Sequence, residues 1–159
     1  MRPTVRAATT DDADDLVRMR WEFRLESGTP ATRTRDEFAE EMRGFLADVF
    51  APGTSWRVWV GVDGGRPVGC VWLQLVERVP HPDLARWQRP IAYVTNMYVE
   101  PERRNSGLGR ALLDAALALA RERDVDGVVL WPSPRSVPFY ERAGFRTDTG
   151  PLWLGIAGD

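Results

Sequence analysis

The stretch RNSGLGRALLDAALALARERD, residues 104–124, constrains the fold most, because two glycines stand at the start of a long apolar helix. The spacing of its leucines and alanines predicts a helix over 107–123. Glycine inside a helix costs about 1 kcal/mol relative to alanine, so Gly107 and Gly109 indicate a place where bare backbone is needed. The start of this helix is therefore the first candidate for a binding site.

The residues around these glycines are typical of an anion site. The first turn of a helix has four N–H groups without partners inside the helix, and the positive end of the helix dipole adds to their effect. Arg103, Arg104 and Arg110 bring positive charge to the same place. The combination suits a pyrophosphate. It lacks the Gly-Lys-Ser/Thr of a P-loop, and its glycine spacing differs from that of a dinucleotide-binding fold.

Hydrophobic periodicity along the chain predicts a mixed α/β fold with the order β-α-α-β-β-β-α-β-α-β-β. The first two helices are expected to begin at Thr9 or Thr10 and at Thr34, with Asp12 and Glu37 placed as in a capping box. Strands are expected at 4–9, 58–62, 68–79, 91–99, 127–131, 145–148 and 151–156, and later helices at 107–123 and 136–143.

Two scarce residue types exclude several kinds of site. Cys70 is the sole cysteine, which excludes an internal disulfide and a multi-cysteine metal site, and we expect it to be a small buried hydrophobe. His81 is the sole histidine and lies between two prolines, so no metal site and no Ser-His-Asp triad is expected. No linker or repeat divides the sequence, and residues 1–159 are expected to form a single domain.

Charge and hydropathy narrow the possible partners. The formal net charge of −2 gives no general attraction to nucleic acid. All 21 basic residues are arginine, so arginines and backbone amides would have to bind any phosphate. No apolar run approaches the ~18 residues of a membrane span, and the N-terminus lacks the apolar stretch of a signal peptide. We expect a cytoplasmic protein that binds neither nucleic acid nor a membrane.

Two motifs in this sequence resemble those of the GNAT superfamily of N-acetyltransferases. Arg104, Gly107 and Gly109 match its acyl-CoA signature Q/R-x-x-G-x-G/A, and SVPFYERAGF (136–145) is similar to its second motif, FYEK-x-GF. The predicted element order also matches the family. The resemblance implies a mixed, mostly antiparallel central sheet with helices on both faces. It also implies an N-acetyltransferase that uses acetyl-CoA as its co-substrate.

The resemblance assigns cofactor contacts to residues of three segments. In the family, the strand before the glycines carries a bulge and splays from the next strand, which opens a wedge for the pantetheine arm. An amide of that strand would polarise the thioester carbonyl. Ser133 and Ser136 stand where many members have Asn and Ala. The implied set is Met97, Tyr98, Val99, Arg104, Asn105, Ser106, Gly107, Leu108, Gly109, Arg110, Ser133 and Ser136, with the amides of 105–110 on the pyrophosphate.

Tyr140 matches the position of the family's usual general acid. A phenol with a reference pKa near 10 stays protonated at neutral pH and could donate its proton to the departing thiolate. The alternatives are that Tyr140 only positions the sulfur or is a core aromatic residue. Attack is expected to be direct, within a ternary complex, because no Cys–His pair is visible for a covalent intermediate.

The sequence does not assign a general base. Tyr93 stands where some members carry a glutamate. An aliphatic amine is neutral in roughly one molecule in 2,500 at pH 7, so a base or a water chain to one is expected. Glu22 is the first candidate, because the N-terminal segment lines the acceptor site in this family. Glu26, Glu77 and Asp83 are the others, and each has an alternative interpretation as a solvated surface carboxylate.

The acceptor would be a primary amine, either a small molecule or a peptide. Acidic residues in the first helices favour a cationic acceptor, although helix starts attract carboxylates in any case. Trp21 and Trp131 are candidates for its pocket wall or for the core. The rival function is a non-catalytic module that binds acyl-CoA as a sensor or partner. The sequence is compatible with a monomer or a homodimer.

Overall fold

The computed structural model describes residues 3–28, 30–80, 82 and 89–146, and confirms the predicted element order through the fourth helix. The last two expected strands lie outside the described residues, apart from residues 145 and 146, which are not in a strand, and most of the loop 80–90 also lies outside. The strands are β1 (Thr4–Ala7), β2 (Trp56–Asp63), β3 (Arg66–Val76), β4 (Ile91–Val99) and β5 (Gly127–Val129). The helices are α1 (Ala13–Glu26), α2 (Arg35–Val49), α3 (Leu108–Glu122) and α4 (Val137–Glu141).

The five strands form one sheet in the order of the sequence. The three pairs from β1 to β4 are antiparallel, and β5 lies parallel to β4. This is the mixed, mostly antiparallel sheet that the family resemblance implied. The parallel pair is short, since only residues 91–93 of β4 face β5.

Helices cover both faces of the sheet. On one face, α1 and α2 pack their apolar stripes against β2 and β3 through a core that includes Leu16, Met19, Leu46, Val60 and Trp72. On the other face, α3 packs against β3 and β4 through Leu112, Leu113, Val71, Leu73 and Val94. Among the described residues, no helix is long and apolar enough to cross a bilayer.

α2 begins as the sequence predicts, whereas α1 begins at Ala13, after a 3-10 turn, Thr10–Asp12, whose N-cap is Thr9. The Thr34 Oγ1 accepts from the Glu37 N–H (3.3 Å), and the Glu37 carboxylate accepts from the Thr34 N–H (2.8 Å). Ahead of α1, the Asp12 carboxylate accepts from the Thr9 N–H (2.8 Å). Bidentate bonds from Arg6, at 2.7 and 2.8 Å, hold the pKa of Asp12 below its usual range although burial opposes this. These acidic residues stabilise the local fold.

Two strand glycines allow α3 to lie close to the sheet. A Cβ at Gly61 would lie 2.6 Å from the Cδ1 of Leu108, and a Cβ at Gly69 would lie 3.2 Å from the Cδ1 of Leu112. Side chains at these positions would push α3 away from β2 and β3. The first turn of α3, which contains the two motif glycines, is therefore positioned by glycines far away in the sequence.

Candidate active-site cleft

β4 contains a bulge near its end, as the family resemblance implied. Between Thr95 and Tyr98, two residues of β4, Asn96 and Met97, oppose Val71 alone. Asn96 has a φ of 46°, a left-handed conformation that is unfavourable for a residue with a side chain. Its buried Oδ1 has no hydrogen-bond partner in the part of the chain that the structure describes. Strain of this kind is concentrated at functional sites.

A cleft opens where β4 and β5 separate. The two strands pair only as far as Tyr93 and Val129. Beyond this point lies a cleft of about 430 Å³, lined on one side by residues 94–99 of β4 and on the other by residues 130–133. Within the described residues, this edge of β4 faces no strand, so an extended ligand can pair with it as an added strand would.

The backbone N–H of Val99 points towards the cleft. The next residue, Glu100, donates its N–H to the Val68 carbonyl on β3 at 2.9 Å. Because neighbouring residues of a strand direct their N–H groups to opposite sides, the Val99 N–H is directed away from β3. Val99 itself lines the cleft, which makes this amide a candidate donor to a bound carbonyl.

The first turn of α3 is left open by the protein's own side chains. Its N-cap, Gly107, has a φ of 86°, and Asn105 has a φ of 60°. Gly107 has no side chain to cap this helix, and the Leu108 N–H makes only a long bond to the Ser106 Oγ (3.4 Å). The first turn has no acidic residue, whereas α1 and α2 each begin with two. Helical bonding starts with the Ala111 N–H, which donates to the Gly107 carbonyl at 3.0 Å. The donors before it are suited to an anion.

Gly109, in the first turn of α3, lies beside residues that line the cleft. A methyl group at Gly109 would lie 3.6 Å from Met97 Cε and 3.8 Å from Phe139 Cε2. These are ordinary contact distances, so packing within the described protein does not require glycine here. Residues 105–110 are not part of the described lining themselves, but Gly109 lies beside Met97 and Val99, which are.

The three arginines expected around this turn are all paired with carboxylates. Arg103 binds Asp63 at 2.9 Å, and Arg110 binds Asp114 at 2.9 Å. Arg104 donates from Nε to the Val99 carbonyl (2.9 Å) and from Nη2 to both oxygens of Glu26 (2.8 and 2.7 Å). Arg104 therefore connects the end of β4 to α1. The donors left for an anion at this turn are chiefly backbone amides.

Tyr140 reaches the cleft from α4. Its hydroxyl donates to the Sδ of Met97 at 3.6 Å, and its ring packs against Phe139 and Phe145 with centroids 5.1 and 5.7 Å away. Burial raises the pKa of the phenol, so the group keeps its proton at neutral pH. The position combines aromatic packing with a protonated donor directed at β4.

Ser133 and Ser136 lie on the wall opposite β4 and both line the cleft. The Ser133 hydroxyl donates to the Ser136 Oγ at 3.0 Å, and the Ser136 hydroxyl donates to the Ser133 carbonyl at 2.9 Å. Together with Tyr140 and residues 97–99, the structure therefore brings these two predicted cofactor residues to one cleft.

The structure does not bring Glu22, the first candidate base, into this cleft. No carboxylate belongs to the described lining. The Glu22 carboxylate accepts from Arg18 Nη1 at 3.0 Å and lies 3.5 Å from the hydroxyl of Tyr98. Glu22 therefore pairs with Arg18 within α1 and contacts the Tyr98 hydroxyl.

Glu26 and Glu77 do not belong to the described lining of the cleft either. Glu26 is occupied by Arg104 and lies 3.7 Å from Arg135 Nη2. Glu77 is exposed just after β3. Asp83, like His81, falls outside the described residues.

Basic rather than acidic side chains surround the described cleft. Its charged residues are Arg20, Arg104 and Arg135, so the acidic starts of α1 and α2 do not create a cationic acceptor site there. The sequence patterns did not single out Arg20. The available signal was a charged residue on the inward stripe of α1, one turn after the buried Leu16. Trp131 also lines the cleft.

Cys70 is fully buried, as expected, and its thiol donates to the Asn96 carbonyl at 3.6 Å. Burial raises the pKa of this thiol to about 12. The thiolate is therefore scarce at neutral pH, and Cys70 is unsuited to carry a covalent acyl group.

Curated sequences related to this chain include two N-acetyltransferases. A glucosamine 6-phosphate N-acetyltransferase of Trypanosoma brucei brucei is 34% identical over 104 residues, which are 65% of this chain and 67% of that protein. An uncharacterised N-acetyltransferase of Methanocaldococcus jannaschii is 26% identical over 158 residues, covering 90% of this chain and 60% of that protein.

Solved structures share the fold over nearly the whole chain. A GCN5-related N-acetyltransferase from Ralstonia eutropha is 31% identical with a TM-score of 0.80, covering 98% of this chain and 99% of that one. A predicted acetyltransferase from Clostridium acetobutylicum, solved with acetyl-CoA, is 21% identical with a TM-score of 0.81, covering 97% and 96%, and shows the fold alone.

The profile of the Acetyltransferase (GNAT) family matches residues 14–145. This region includes the bulged β4, the open turn of α3 and Tyr140 of α4. Acetyl-CoA is the co-substrate of this family. The chain belongs to the GNAT family of acetyltransferases.

Proposed function

We propose that this chain transfers an acetyl group from acetyl-CoA to a primary amine by direct attack in a ternary complex. The observation that carries this proposal is the arrangement around the free edge of β4. The open first turn of α3 lies at one end of that edge, and the Tyr140 hydroxyl contacts its bulge. One extended thioester ligand would engage all three features.

The cofactor would be held mainly by backbone groups. The pyrophosphate would lie on the amides of residues 105–110, where the left-handed Gly107 exposes the first turn of α3. The pantetheine arm would follow Met97–Val99, with Ser133 and Ser136 on the opposite wall. Arg104 supports this arrangement as a positioning residue, since it joins the Val99 carbonyl to Glu26.

The chemistry needs a polarised carbonyl and a protonated leaving group. The Val99 N–H would stabilise the oxyanion that forms when the amine nitrogen attacks the thioester carbon. The C–S bond then breaks, its electron pair goes to sulfur, and the Tyr140 hydroxyl gives its proton to the thiolate. The nitrogen loses its extra proton to solvent and Tyr140 regains one, which leaves an acetamide and free CoA.

The acceptor would reach the reaction as a neutral amine without a carboxylate in the described lining of the cleft. A nearby positive charge disfavours an ammonium ion. Arg20 and Arg135 line this space, whereas the charge of Arg104 is paired with Glu26. A bound ammonium ion would therefore release its proton to water more readily than in solution. We therefore propose that the acceptor amine loses its proton to water and not to Glu22.

The family and one relative support a primary amine as the acceptor. The relative from Trypanosoma is named for an amino sugar phosphate, which supports a small primary amine over a thiol or an alcohol. A peptide amine is the second possibility, because the mouth of the cleft lies beside an exposed Trp131.

Calorimetric titration with acetyl-CoA, beside a thiol-release assay over a panel of primary amines, tests the proposal. Binding with release supports the acetyltransferase. Binding with no release for any amine, small or peptidic, would favour the rival function of a non-catalytic acyl-CoA-binding module. Absence of binding by the folded protein would overturn both functions.

A further inference from the structure

Arg20 occupies a position that the fold would normally give to an apolar side chain. It lies one helical turn after the fully buried Leu16, on the face of α1 that packs on the sheet, and it is itself half-buried. Its guanidinium lies over the ring of Phe23, with Cζ 5.7 Å from the ring centroid. A charged group at such a place has a free-energy cost unless it is paired.

Arg20 has no carboxylate partner among the described residues. Other arginines of the sheet and its helices, such as Arg6, Arg18, Arg66 and Arg104, bind carboxylates at 2.6 to 2.7 Å. Burial lowers the pKa of Arg20, and the nearby charge of Arg24 adds to this effect. A guanidinium nevertheless stays charged at neutral pH. Arg20 is therefore a cation that lacks its counter-ion.

Arg20 also joins the cleft to a second cavity. This second cavity has a volume of about 470 Å³ and is lined by residues of α1, of α2 and of the segment between them. Arg20, Met42 and Phe45 line both spaces. A ligand in the second cavity would therefore contact Arg20 and extend towards the cleft in which the thioester would lie.

The walls of the second cavity are cationic and aromatic. Arg20, Arg24 and Arg33 face one acidic residue, Glu41, which is already paired with Arg33. The remaining wall is largely apolar and includes Trp21 and Phe38, whose ring centroids lie 5.5 Å apart, together with Met42 and Phe45. Such a cavity suits a ligand with an apolar body and a negative charge.

We propose that the acceptor is an amine that also carries an anionic group, a carboxylate or a phosphate, and that Arg20 binds this group in the second cavity. The inference rests on the function proposed above and deepens it. The body of the acceptor would lie against Trp21, Phe38 and Phe45, and its amine would reach the cleft past Arg20. Arg20 would thus act as a specificity-determining residue.

Binding of amine-free probes tests the inference without turnover. The probes are 3-phenylpropionate for a carboxylate, phenyl phosphate for a phosphate and benzyl alcohol as the neutral control. We expect at least one anion to bind the wild-type protein, and Arg20→Met to weaken it about tenfold or more, the usual effect of losing a charge-assisted bond. The affinity for benzyl alcohol should be the same in the wild type and in Arg20→Met. The tighter anion identifies the carboxylate or the phosphate as the group recognised.

A matched variant and a conservative one control this experiment. Arg121→Met removes the same charge from the exposed end of α3, outside both cavities, and should leave anion binding unchanged. Arg20→Lys keeps the charge without the bidentate fork and should bind with intermediate affinity. If Arg20→Met does not fold, the anion affinity of Arg20→Lys is compared with that of the wild type instead. Absence of anion binding by the wild type, or equal binding by all Arg20 variants, would overturn the inference.

Turnover separates this inference from the proposed function. Acceptors are compared in pairs: phenylalanine with phenylalaninamide, and O-phosphoethanolamine with ethanolamine. We expect the anionic member of one pair to have the lower KM, and Arg20→Met to raise that KM while the KM for acetyl-CoA stays unchanged. Equal KM values within both pairs would overturn the anionic acceptor and leave the acetyltransferase standing. If no amine is acetylated, the proposed function fails, and the probe titrations still decide whether Arg20 binds anions.

Discussion

The hydroxyl of Tyr140 lies 3.6 Å from the Sδ of Met97, which brings α4 into contact with the bulge of β4. Met97 is one of the two residues that oppose Val71 alone, and its Cε also lies beside Gly109 in the first turn of α3. A single methionine thus joins the candidate acid, the strand edge and the first turn of α3, the proposed pyrophosphate site. Substitutions at these points test separate steps of the proposed reaction.

Replacing Tyr140 with phenylalanine should slow turnover and spare binding. The hydroxyl would donate the proton that the leaving thiolate needs, and such donors contribute about 10²- to 10⁴-fold. Steady-state kcat and a calorimetric Kd for acetyl-CoA measure the two effects. Tyr93→Phe is the control for loss of a phenol hydroxyl, because Tyr93 itself does not line the described cleft, although its hydroxyl bonds the lining residue Thr95 at 3.0 Å. An unchanged kcat for Tyr140→Phe would remove the acid role.

The rate of turnover should rise with pH as the acceptor amine loses its proton. It should not decline at moderately alkaline pH. Burial raises the pKa of Tyr140 above its ordinary value near 10, so the phenol keeps its proton below that pH. Acceptors with amines of different pKa should shift the rising limb of kcat/KM correspondingly. A limb that stays fixed near pH 4 to 5, about the ordinary pKa of a carboxyl group, would point instead to a carboxylate base.

Replacing Gly107 with glutamate should abolish the binding of acetyl-CoA. The substitution adds a side chain at a φ of 86° and a negative charge where the pyrophosphate would lie. Gly44→Glu is the matched control, since Gly44 is an exposed glycine of α2. A Cβ at this position would have no other atom within 4 Å outside its own helix backbone and chain neighbours. Calorimetry of both folded variants measures the difference. Equal affinities would contradict the assignment of the pyrophosphate to α3.

Replacing Gly61 with alanine should destabilise the protein by about 1–3 kcal/mol, the usual cost of overpacking. The new methyl group would lie 2.6 Å from Leu108 Cδ1 and would displace the start of α3. Gly127→Ala in β5 is the control, because its Cβ would meet open space. Urea unfolding gives both free energies. Full stability of Gly61→Ala would show that Leu108 adjusts without moving the helix.

Replacing Glu100 with glutamine should cost about 2–4 kcal/mol at neutral pH, as expected for breaking a largely buried ion pair. The Glu100 side chain is 10% exposed and accepts from Arg18 (2.6 Å) and Arg66 (2.7 Å). Urea unfolding of both proteins at pH 7 measures the loss. Glu102, which is exposed, is the control, and Glu102→Gln should leave the free energy of unfolding unchanged.

The same substitution has a predictable dependence on pH. Burial alone would raise the pKa of Glu100, but its bonds to Arg66 and Arg18 outweigh burial and hold the pKa below its usual range. The stabilisation is therefore complete above the unfolded pKa, near 4.3, and is lost as pH falls through the lower folded pKa. The difference between wild type and Glu100→Gln should shrink in this acidic range. A constant difference would contradict the ion-pair account.

Local signals in the sequence determined much of the fold. The capping box of Thr34 and Glu37 depends on residues three positions apart and occurs as predicted. Of the two candidate caps Thr9 and Thr10, the structure selects Thr9, whose N–H donates to Asp12. The apolar period of α3 and its glycine start likewise involve one short segment. Such features could be predicted because propensities, capping and periodicity act over a single helical turn.

Only the tertiary structure decided which charges face the site. The sequence predicts that Arg104 is a free cation beside the glycines. In the fold, Arg104 is paired with Glu26, which is 78 residues away along the chain. Glu22 reads as a base, yet it faces Arg18 and Tyr98 instead of the cleft. In the sequence, Arg20 does not differ from the other arginines of α1. Only the fold shows that no carboxylate among the described residues pairs with it. A charge acts through its partners and its burial, and both depend on contacts that the chain makes only when folded.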